Sequence, residues 1–171
     1  MDFMELAKSR YSVRSFSSKA INDDELQKIL EAGRIAPTAK NNQPQQIYVV
    51  KSAINLEKID KATQCRYGAP VVLIVAYDKN KQWQNPLEEG ITSGQQDASI
   101  VATHMMLAAT ELKIGSVWVD MFSPTTVKQL FNLPENIVPV LLMPLGYANE
   151  DAKPSPWHEQ RKPLSETVFE R

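Results

Sequence analysis

The sequence is poor in the side chains that form covalent cross-links and metal centres. It contains one cysteine, Cys65, and two histidines, His104 and His158, among 171 residues. A single cysteine excludes an internal disulfide and makes a cysteine-based zinc site a poor hypothesis. The two histidines are not spaced as a metal-ligand pair on a helix. We therefore predict no metal site, and Cys65 is interpreted as a small buried hydrophobic residue.

Glycine is also scarce, and its positions match no phosphate-binding loop. The six glycines stand at positions 33, 68, 90, 94, 115 and 146, which fit neither the Walker nor the dinucleotide-binding pattern. The Gly-x-Ser-x-Gly elbow is absent as well. Hydrolysis by a metal ion or by a Ser/His/Asp triad therefore has little support. If the chain is an enzyme, its reactivity is expected to come from a bound cofactor.

The sequence lacks an excess of one charge and any long apolar run. The formal net charge is −1 at pH 7, so no global basic field attracts nucleic acid or an anionic membrane. No apolar stretch approaches the ~20 residues that a membrane-spanning helix needs. The acidic first residues also lack the apolar run of a signal peptide. We expect a cytoplasmic protein without nucleic-acid or membrane partners.

What is present is the composition and patterning of one globular domain. Apolar residues make up 43% and charged residues 23%, as is usual for such proteins, and the length favours a single domain over residues 1–171. Helices and strands alternate in the order ααβαβαβαβ, which indicates an α/β or α+β fold. Asn22 and Glu25 form a capping-box pattern at the start of the second helix, and residues 78–90 are interpreted as a polar surface loop or covering flap. The predicted helices are 2–9, a helix from Asn22 ended by Pro37, 56–63, 93–113 and 125–131, and the predicted strands are 47–50, 70–77, 117–119 and 138–145.

The predicted helix at residues 93–113 is apolar around nearly its whole circumference. Such a helix is normally buried on all sides, so we expect it to be central and partly covered by a partner subunit. Asp97 and His104 lie on it. Structural hydrogen bonding is the more common role of polar residues on a buried helix, and this is the role that we predict for both.

Two segments carry side chains that suit a phosphate group. If residues 10–16 are extended, Arg10, Ser12 and Arg14 project from the same side, because side chains alternate along a strand. Two guanidinium groups with a hydroxyl between them suit a phosphate, which arginine binds through paired hydrogen bonds. Residues 160–163 carry a second basic pair. Solvated surface charges would produce the same pattern, so the spacing alone leaves both interpretations open.

Two other segments suit a planar ligand. Residues 36–44, Ala-Pro-Thr-Ala-Lys-Asn-Asn-Gln-Pro, carry amides that could read the edge of a heterocycle, although a polar turn has the same composition. Residues 115–120 follow the long helix, which Gly115 is predicted to end. Trp118 in this segment could contact a planar ligand or belong to the core, which is the commoner place for tryptophan.

Taken together and in this order, the four segments resemble the nitroreductase family of FMN-dependent oxidoreductases. Residues 10–16, Arg-Tyr-Ser-Val-Arg-Ser-Phe, are similar to the family's Arg-Arg-Ser-x-Arg-x-Phe opening. Residues 36–44 are similar to its Ala-Pro-Ser-x-x-Asn-x-Gln-Pro loop, with Lys40 in place of a frequent glycine. The likeness covers about residues 3–163. It implies an FMN site that comprises Arg10, Tyr11, Ser12, Arg14, Thr38, Ala39, Asn41, Gln43, Val117, Trp118, Arg161 and Lys162.

The resemblance also implies which residues bind the FMN phosphate. Arg10 and Ser12 would bind it directly, and Tyr11 would contribute its main chain. Arg161, with Lys162 beside it, would complete the phosphate site from the other end of the sequence.

The remaining site residues would surround the flavin ring. Arg14 would reach its pyrimidine side and stabilise the reduced flavin, with Arg66 as an alternative. Residues 38–43 would border the ring, partly from a second subunit, and residues 115–118 would lie along it. No side chain is expected to act as a nucleophile, because the chemistry takes place at N5 of the flavin.

The implied fold is α+β with three layers, in which helices flank a central, mostly antiparallel β-sheet, and the implied assembly is a homodimer with FMN at its interface. The implied activity is hydride transfer from NADH or NADPH through FMN to small acceptors such as nitroaromatics or quinones. The alternatives are a flavin carrier or redox sensor, a specialised flavin enzyme that carries out dehalogenation or flavin fragmentation, and a cofactor-free interaction domain.

Overall fold

The computed structural model describes residues 2–171, and its regular elements follow the predicted order ααβαβαβαβ. Short 3-10 turns at Ala39–Asn41 and Leu164–Glu166 supplement them. The helices are α1 (Phe3–Ser9), α2 (Asp23–Arg34), α3 (Ala53–Ala62), α4 (Gly94–Glu111) and α5 (Pro124–Leu130), and the strands are β1 (Gln45–Val50), β2 (Val71–Asp78), β3 (Gly115–Ser116) and β4 (Ile137–Gly146).

The predicted capping box starts helix α2. The side chain of Asn22 accepts the N–H of Asp24 at 2.9 Å, and the N–H of Asn22 donates to the Glu25 carboxylate at 3.3 Å. These bonds satisfy backbone groups that the first turn of a helix leaves unpaired. The helix ends at Arg34, before Pro37.

The four strands form one antiparallel sheet in the order β1-β2-β4-β3. Successive side chains of a strand face opposite sides of a sheet, and β2 shows the consequence. Leu73 and Val75 belong to one buried cluster, whereas Val72 and Ile74 belong to another. Because both faces of β2 are covered, its sequence is a continuous apolar run.

Helices cover both faces of this sheet. Helices α2 and α4 pack on one face, and α3, α5 and the extended residues 11–16 pack on the other. The result is the predicted α+β fold in three layers. Representative side chains are Ile29, Val101 and Met105 on the first face and Ile59, Val127 and Val13 on the second.

Helix α4 is buried on one side only. Val101 and Met105 are fully buried against the sheet and α2, while Ile100 stays 39% exposed and Leu107 half-buried. Gly33 of α2 permits the close approach, since a Cβ there would lie 2.8 Å from Cγ of Met105. Within a single chain, α2 and the sheet reach only one face of the helix. The predicted cover by a partner subunit stays a prediction.

The strand predicted at residues 117–119 is misplaced. Strand β3 lies at Gly115–Ser116, where it pairs with the end of β4. Val119 makes only an isolated bridge to Leu142, and the side chain of Val117 is buried. Hydrogen bonds to β4 continue past β3, because the N–H of Val117 donates to the Pro144 carbonyl oxygen at 3.3 Å and Val119 and Leu142 exchange N–H···O bonds at 3.0 Å. They form no further regular strand pairing.

The polar segment after β2 closes into a hairpin at residues 83–93. Gln84 pairs with Thr92, and the N–H of Ser93 donates to the carbonyl oxygen of Trp83 at 3.1 Å. Leu87 near its tip is almost completely exposed. Within residues 2–171, no helix combines the length and apolar character that crossing a membrane would require.

Candidate functional site

The segment after α1 runs along the edge of the sheet. Ser12 forms a parallel bridge with Ser116, and the N–H of Val13 donates to the Ser116 carbonyl oxygen at 3.0 Å. Val13 and Phe16 are buried, whereas Arg14 is exposed. The extended conformation is as predicted, and burial of Val13 directs its neighbours Ser12 and Arg14 away from the core.

The C-terminal tail begins beside the same segment. The backbone N–H of Asn149 donates to the Ser15 carbonyl oxygen at 3.1 Å, and its side-chain amide donates to Ser15 Oγ at 3.0 Å. Further along, the N–H of His158 donates to the Ser155 carbonyl oxygen at 2.8 Å and closes a turn. These bonds return the tail to residues 10–14.

A cavity of ≈ 180 Å³ lies where the two segments meet, and we call it the anion cavity. Three guanidinium groups line it, and none of its lining residues is a carboxylate. No salt bridge within residues 2–171 involves any of the three arginines. Positive charges that converge without a counter-ion repel one another, so the cavity suits a polyanionic group. Its lining residues are Arg10, Tyr11, Ser12, Arg14, Ser155, Trp157, His158 and Arg161.

Five of the predicted cofactor residues therefore meet in one place: Arg10, Tyr11, Ser12, Arg14 and Arg161. The two arginines from opposite ends of the sequence are among them. Lys162, predicted to assist Arg161, does not line the cavity; its Nζ lies 3.8 Å from Oε2 of Glu166.

Arg66, the alternative to Arg14, is engaged elsewhere. Its Nε and Nη2 donate to the two carboxylate oxygens of Asp60 at 2.6 and 2.7 Å, and its Nη1 donates to the Ala69 carbonyl oxygen at 3.0 Å. The hydrogen bond to Asp60 raises the pKa of Arg66. A guanidinium with this set of partners has little capacity left for a ligand.

Arg14 lies beside a small polar cluster. Its Nη1 donates to the Ser12 carbonyl oxygen at a long 3.5 Å. The pKa of Tyr67 is raised, mainly by a hydrogen bond to Cys65 and to a smaller extent by burial. The nearby Arg14 partly opposes this rise. The guanidinium of Arg14 is thus near the Tyr67 hydroxyl and keeps most of its donors available.

The predicted flavin loop, residues 38–43, does not line the anion cavity of its own chain. Its backbone takes a left-handed conformation at Lys40 (φ 52°), Asn41 (φ 55°) and Gln43 (φ 50°). The N–H of Gln43 donates to Oγ1 of Thr38 at 3.0 Å and closes the loop. Left-handed residues other than glycine cost of order 1 kcal/mol each, so the surrounding contacts must maintain this shape.

A buried carboxylate supplies the main contact. Asp97 is 2% exposed; its Oδ1 accepts the N–H of Ala39 at 2.9 Å, and its Oδ2 accepts the Ser93 hydroxyl at 2.7 Å. Ser93 Oγ in turn accepts the N–H of Trp83 at 3.1 Å. Asp97 therefore joins the flavin loop, the 83–93 hairpin and α4. The structural role predicted for it is confirmed.

The segment after α4 contributes a buried hydroxyl. Ser116 is 2% exposed, and its Oγ has no hydrogen-bond partner within residues 2–171. It borders a second cavity, of ≈ 260 Å³, which shares Arg10 and Tyr11 with the anion cavity. The predicted ring contacts Val117 and Trp118 line neither cavity; Val117 is buried, and Nε1 of Trp118 donates to Asp120 at 2.8 Å.

Gly115 brings residues 12–14 close to β3, and replacing it should disturb the site. A Cβ at this position would lie 2.7 Å from Cγ2 of Val13 and 3.1 Å from the Gly146 carbonyl oxygen. We expect Gly115→Ala to lower the free energy of unfolding by about 1–3 kcal/mol, as overpacking does. Thermal unfolding of the variant measures this loss.

A background in which Val13 is shortened provides the control. Gly115→Ala should cost less when introduced into Val13→Ala than into the wild type, because the obstructing Cγ2 is gone. An equal cost in both backgrounds would show that the two positions are not coupled.

Three residues of the anion cavity were not predicted: Ser155, Trp157 and His158. No spacing or composition in the sequence singles them out. Only the return of the tail to residues 10–14, fixed by Asn149, brings them to the cavity.

A family model matches most of the residues that form the fold and the site. The model described as the Nitroreductase family matches residues 7–67 and 64–147. The chain belongs to the nitroreductase family. The matched stretches include residues 10–14, the flavin loop, Asp97 and Ser116, and membership assigns the chain to a family of oxidoreductases.

Individual members of the nitroreductase family resemble the whole chain. A relative from Methanothermobacter thermautotrophicus, provisionally named an NADH dehydrogenase/NAD(P)H nitroreductase, is 32% identical over 160 residues, which cover 88% of this chain and 80% of the relative. The crystal structure of a nitroreductase family protein from Clostridium difficile has a TM-score of 0.92 and 40% identity, covering 99% of this chain and 98% of that one.

A third relative was crystallised with a cofactor. The structure of a provisionally named nitroreductase from Desulfovibrio desulfuricans is a complex with FMN. It has a TM-score of 0.81 and 25% identity, and the match covers 98% of this chain and 95% of that one.

Proposed function

We propose that this chain is an FMN-dependent oxidoreductase that uses NADH or NADPH to reduce small acceptors such as nitroaromatics or quinones. The anion cavity carries the proposal, because Arg10, Arg14 and Arg161 converge there without a carboxylate. The FMN bound to the Desulfovibrio relative and the NAD(P)H in the name of the Methanothermobacter relative support the cofactor and the co-substrate.

The residues fit the phosphate end of FMN. Ligand sites usually occupy roughly 300–1,000 Å³, so a cavity of ≈ 180 Å³ suits a phosphate group better than a whole flavin. The unpaired Ser116 hydroxyl, in the adjoining cavity, is a group that a polar ligand atom would satisfy. A buried hydroxyl without a partner costs about 1–3 kcal/mol, which favours a ligand that supplies one.

The side chains bind and orient, while the cofactor reacts. When bound, FMN supplies the hydride-transfer chemistry that no side chain of this site provides. Arg10 and Arg161 bind the phosphate, and the Ser12 hydroxyl donates to it. Arg14 stabilises negative charge on the ring. A hydrogen bond to a charged group contributes about 1.5–3 kcal/mol, and the exposure of Arg14 to solvent lowers that figure.

We also propose that a second copy of the chain completes the site as a homodimer. Residues 38–43 do not reach the anion cavity of their own chain. The outer face of α4 leaves two large apolar side chains incompletely covered, Ile100, which is 39% exposed, and the half-buried Leu107. A partner packed on this face would bury apolar surface and bring its own flavin loop to the neighbouring cavity.

The visible absorption spectrum of the purified protein tests the proposal. We expect flavin absorbance that co-elutes with a species of two chains on size exclusion. NADH or NADPH added without oxygen should bleach it, and a nitroaromatic or a quinone should restore it. Pairwise use of the two nucleotides and the two acceptors identifies the preferred ones.

Two other results would redirect the assignment. A colourless protein that takes up no added FMN would contradict the proposal and support a cofactor-free interaction domain. Bound flavin that neither nucleotide reduces would support a carrier, a sensor or a specialised flavin enzyme.

A further inference from the structure

His158 is the one histidine that faces the anion cavity; the other, His104, lies on α4. The His158 ring packs edge-on against Tyr11, with ring centroids 6.3 Å apart and planes at 69°. The backbone N–H of His158 donates to the Ser155 carbonyl oxygen, and this bond fixes the turn that presents the ring. An imidazole therefore stands among the three guanidinium groups.

We infer that His158 binds the phosphate of FMN through an imidazole N–H, and that its protonation selects FMN over riboflavin and strengthens FMN retention at low pH. The inference rests on the proposed function, because it takes that phosphate as the anion in the cavity. It adds a binding residue that neither the motifs nor the family match contains, since the matched stretches end at residue 147.

The charges that face His158 have one sign. Residues 10–14 present Arg10, Tyr11 and Arg14, and the tail itself presents Arg161. Glu159 follows His158 in sequence but is exposed and does not line the cavity. A protonated imidazole is repelled by these guanidinium groups until an anion neutralises them.

Protonation of His158 and binding of phosphate are therefore coupled. By thermodynamic reciprocity, the anion strengthens proton binding by the same factor as the proton strengthens anion binding. Histidine changes charge between about pH 5 and pH 8. Because a cationic ring attracts the anion and a neutral ring does not, we expect the contribution of His158 to FMN affinity to be larger in acid than in alkaline solution.

The phosphate itself titrates in the same interval and must be separated from the histidine. Its second ionisation, at about pH 6, removes negative charge at the acid end and opposes the trend. For the free ligand this ionisation is the same whichever variant is titrated. The ratio of dissociation constants between a variant and the wild type at one pH therefore isolates His158.

The test measures the dissociation constants of FMN and of riboflavin, which lacks the phosphate, for the full chain at about pH 6 and about pH 8.5. The wild type is compared with His158→Gln, and Arg34→Gln, at a residue remote from the cavity in a salt bridge with Glu31, serves as the control. We expect His158→Gln to weaken FMN binding about five- to tenfold at the lower pH, as for loss of one charge-assisted hydrogen bond. At the higher pH its effect should be about twofold or less.

Riboflavin affinity should be the same for all three proteins, and Arg34→Gln should bind FMN as the wild type does. Equal FMN affinities of His158→Gln and the wild type at both pH values would overturn the inference and leave the proposed function standing. A loss of FMN affinity in His158→Gln that is the same at both pH values, or that extends to riboflavin, would also overturn the inference. Either result would show that His158 acts by packing against Tyr11. Absence of FMN binding by the wild type would instead overturn the proposed function.

Discussion

Arg10→Ala combined with Arg161→Ala is expected to raise the dissociation constant of FMN about a hundredfold and to yield a nearly colourless protein. In the proposed site each guanidinium would donate a charge-assisted hydrogen bond to the phosphate, worth about 1.5–3 kcal/mol when shielded from water. Arg161 is exposed and Arg10 half-buried, so the lower end of that range applies to each. Flavin fluorescence during titration of the apoprotein measures the change.

An arginine remote from the cavity provides the matched control. Arg34 lies at the end of α2 in a salt bridge with Glu31, and Arg34→Ala should bind FMN as the wild type does. Riboflavin affinity should change little in the double variant, because riboflavin has no phosphate. Full retention of FMN by the double variant would contradict the assignment of the anion cavity.

Asp97→Ala should be the most destabilising single change among those considered. It leaves the N–H of Ala39 and the hydroxyl of Ser93 without their buried acceptor, and each unsatisfied group costs about 1–3 kcal/mol. A loss of about 3 kcal/mol corresponds to a Tm lower by roughly 6–12 °C for a chain of this size. Thermal unfolding followed by circular dichroism measures it.

Two variants show whether the carboxylate acts through its hydrogen bonds. Asp97→Asn keeps one oxygen acceptor and should recover about half of the loss. Asp151→Ala, at an exposed aspartate of the tail, should stay within about 0.5 kcal/mol of the wild type. If Asp97→Ala unfolds at the wild-type temperature, Asp97 does not anchor the loop and the hairpin as described.

The order of elements could be predicted because each element carries a strong local signal. The capping box at Asn22 and the apolar run of β2 are examples, and both are confirmed. Residues 117–119 had an equally strong signal and were misassigned. Regular pairing of β3 with β4 covers only Gly115 and Ser116, and beyond it Val117 and Val119 keep isolated hydrogen bonds to β4. Pairing over long sequence distances leaves no local trace that would place this boundary.

The candidate site could be predicted in part for the same reason. Arg10, Ser12 and Arg14 share a face whenever their segment is extended, which alternation alone establishes. His158 could not be found in this way, since it reaches the cavity only through the contacts of Asn149 and a turn in the tail. Asp97 has two hydrogen-bond partners, Ala39 and Ser93, and these too become visible only in three dimensions.

The left-handed backbone of Lys40 explains one departure from the family pattern. The resemblance places a frequent glycine at this position, and glycine takes a positive φ at no steric cost. Lys40 adopts φ 52° nonetheless, next to the Ala39 N–H that Asp97 accepts. The hydrogen bond from Ala39 to Asp97 on α4 therefore holds the loop in a left-handed conformation that a glycine at position 40 would adopt without such support.

The two walls of the anion cavity come from opposite ends of the sequence, which determines when the cavity can form. Its walls come from residues 10–14 and 155–161, whereas the last strand of the sheet ends at Gly146. A ribosome makes the chain from its N-terminus, so every strand is synthesised before the second wall of the cavity exists. The complete cavity can thus form only after the last strand of the sheet has been synthesised.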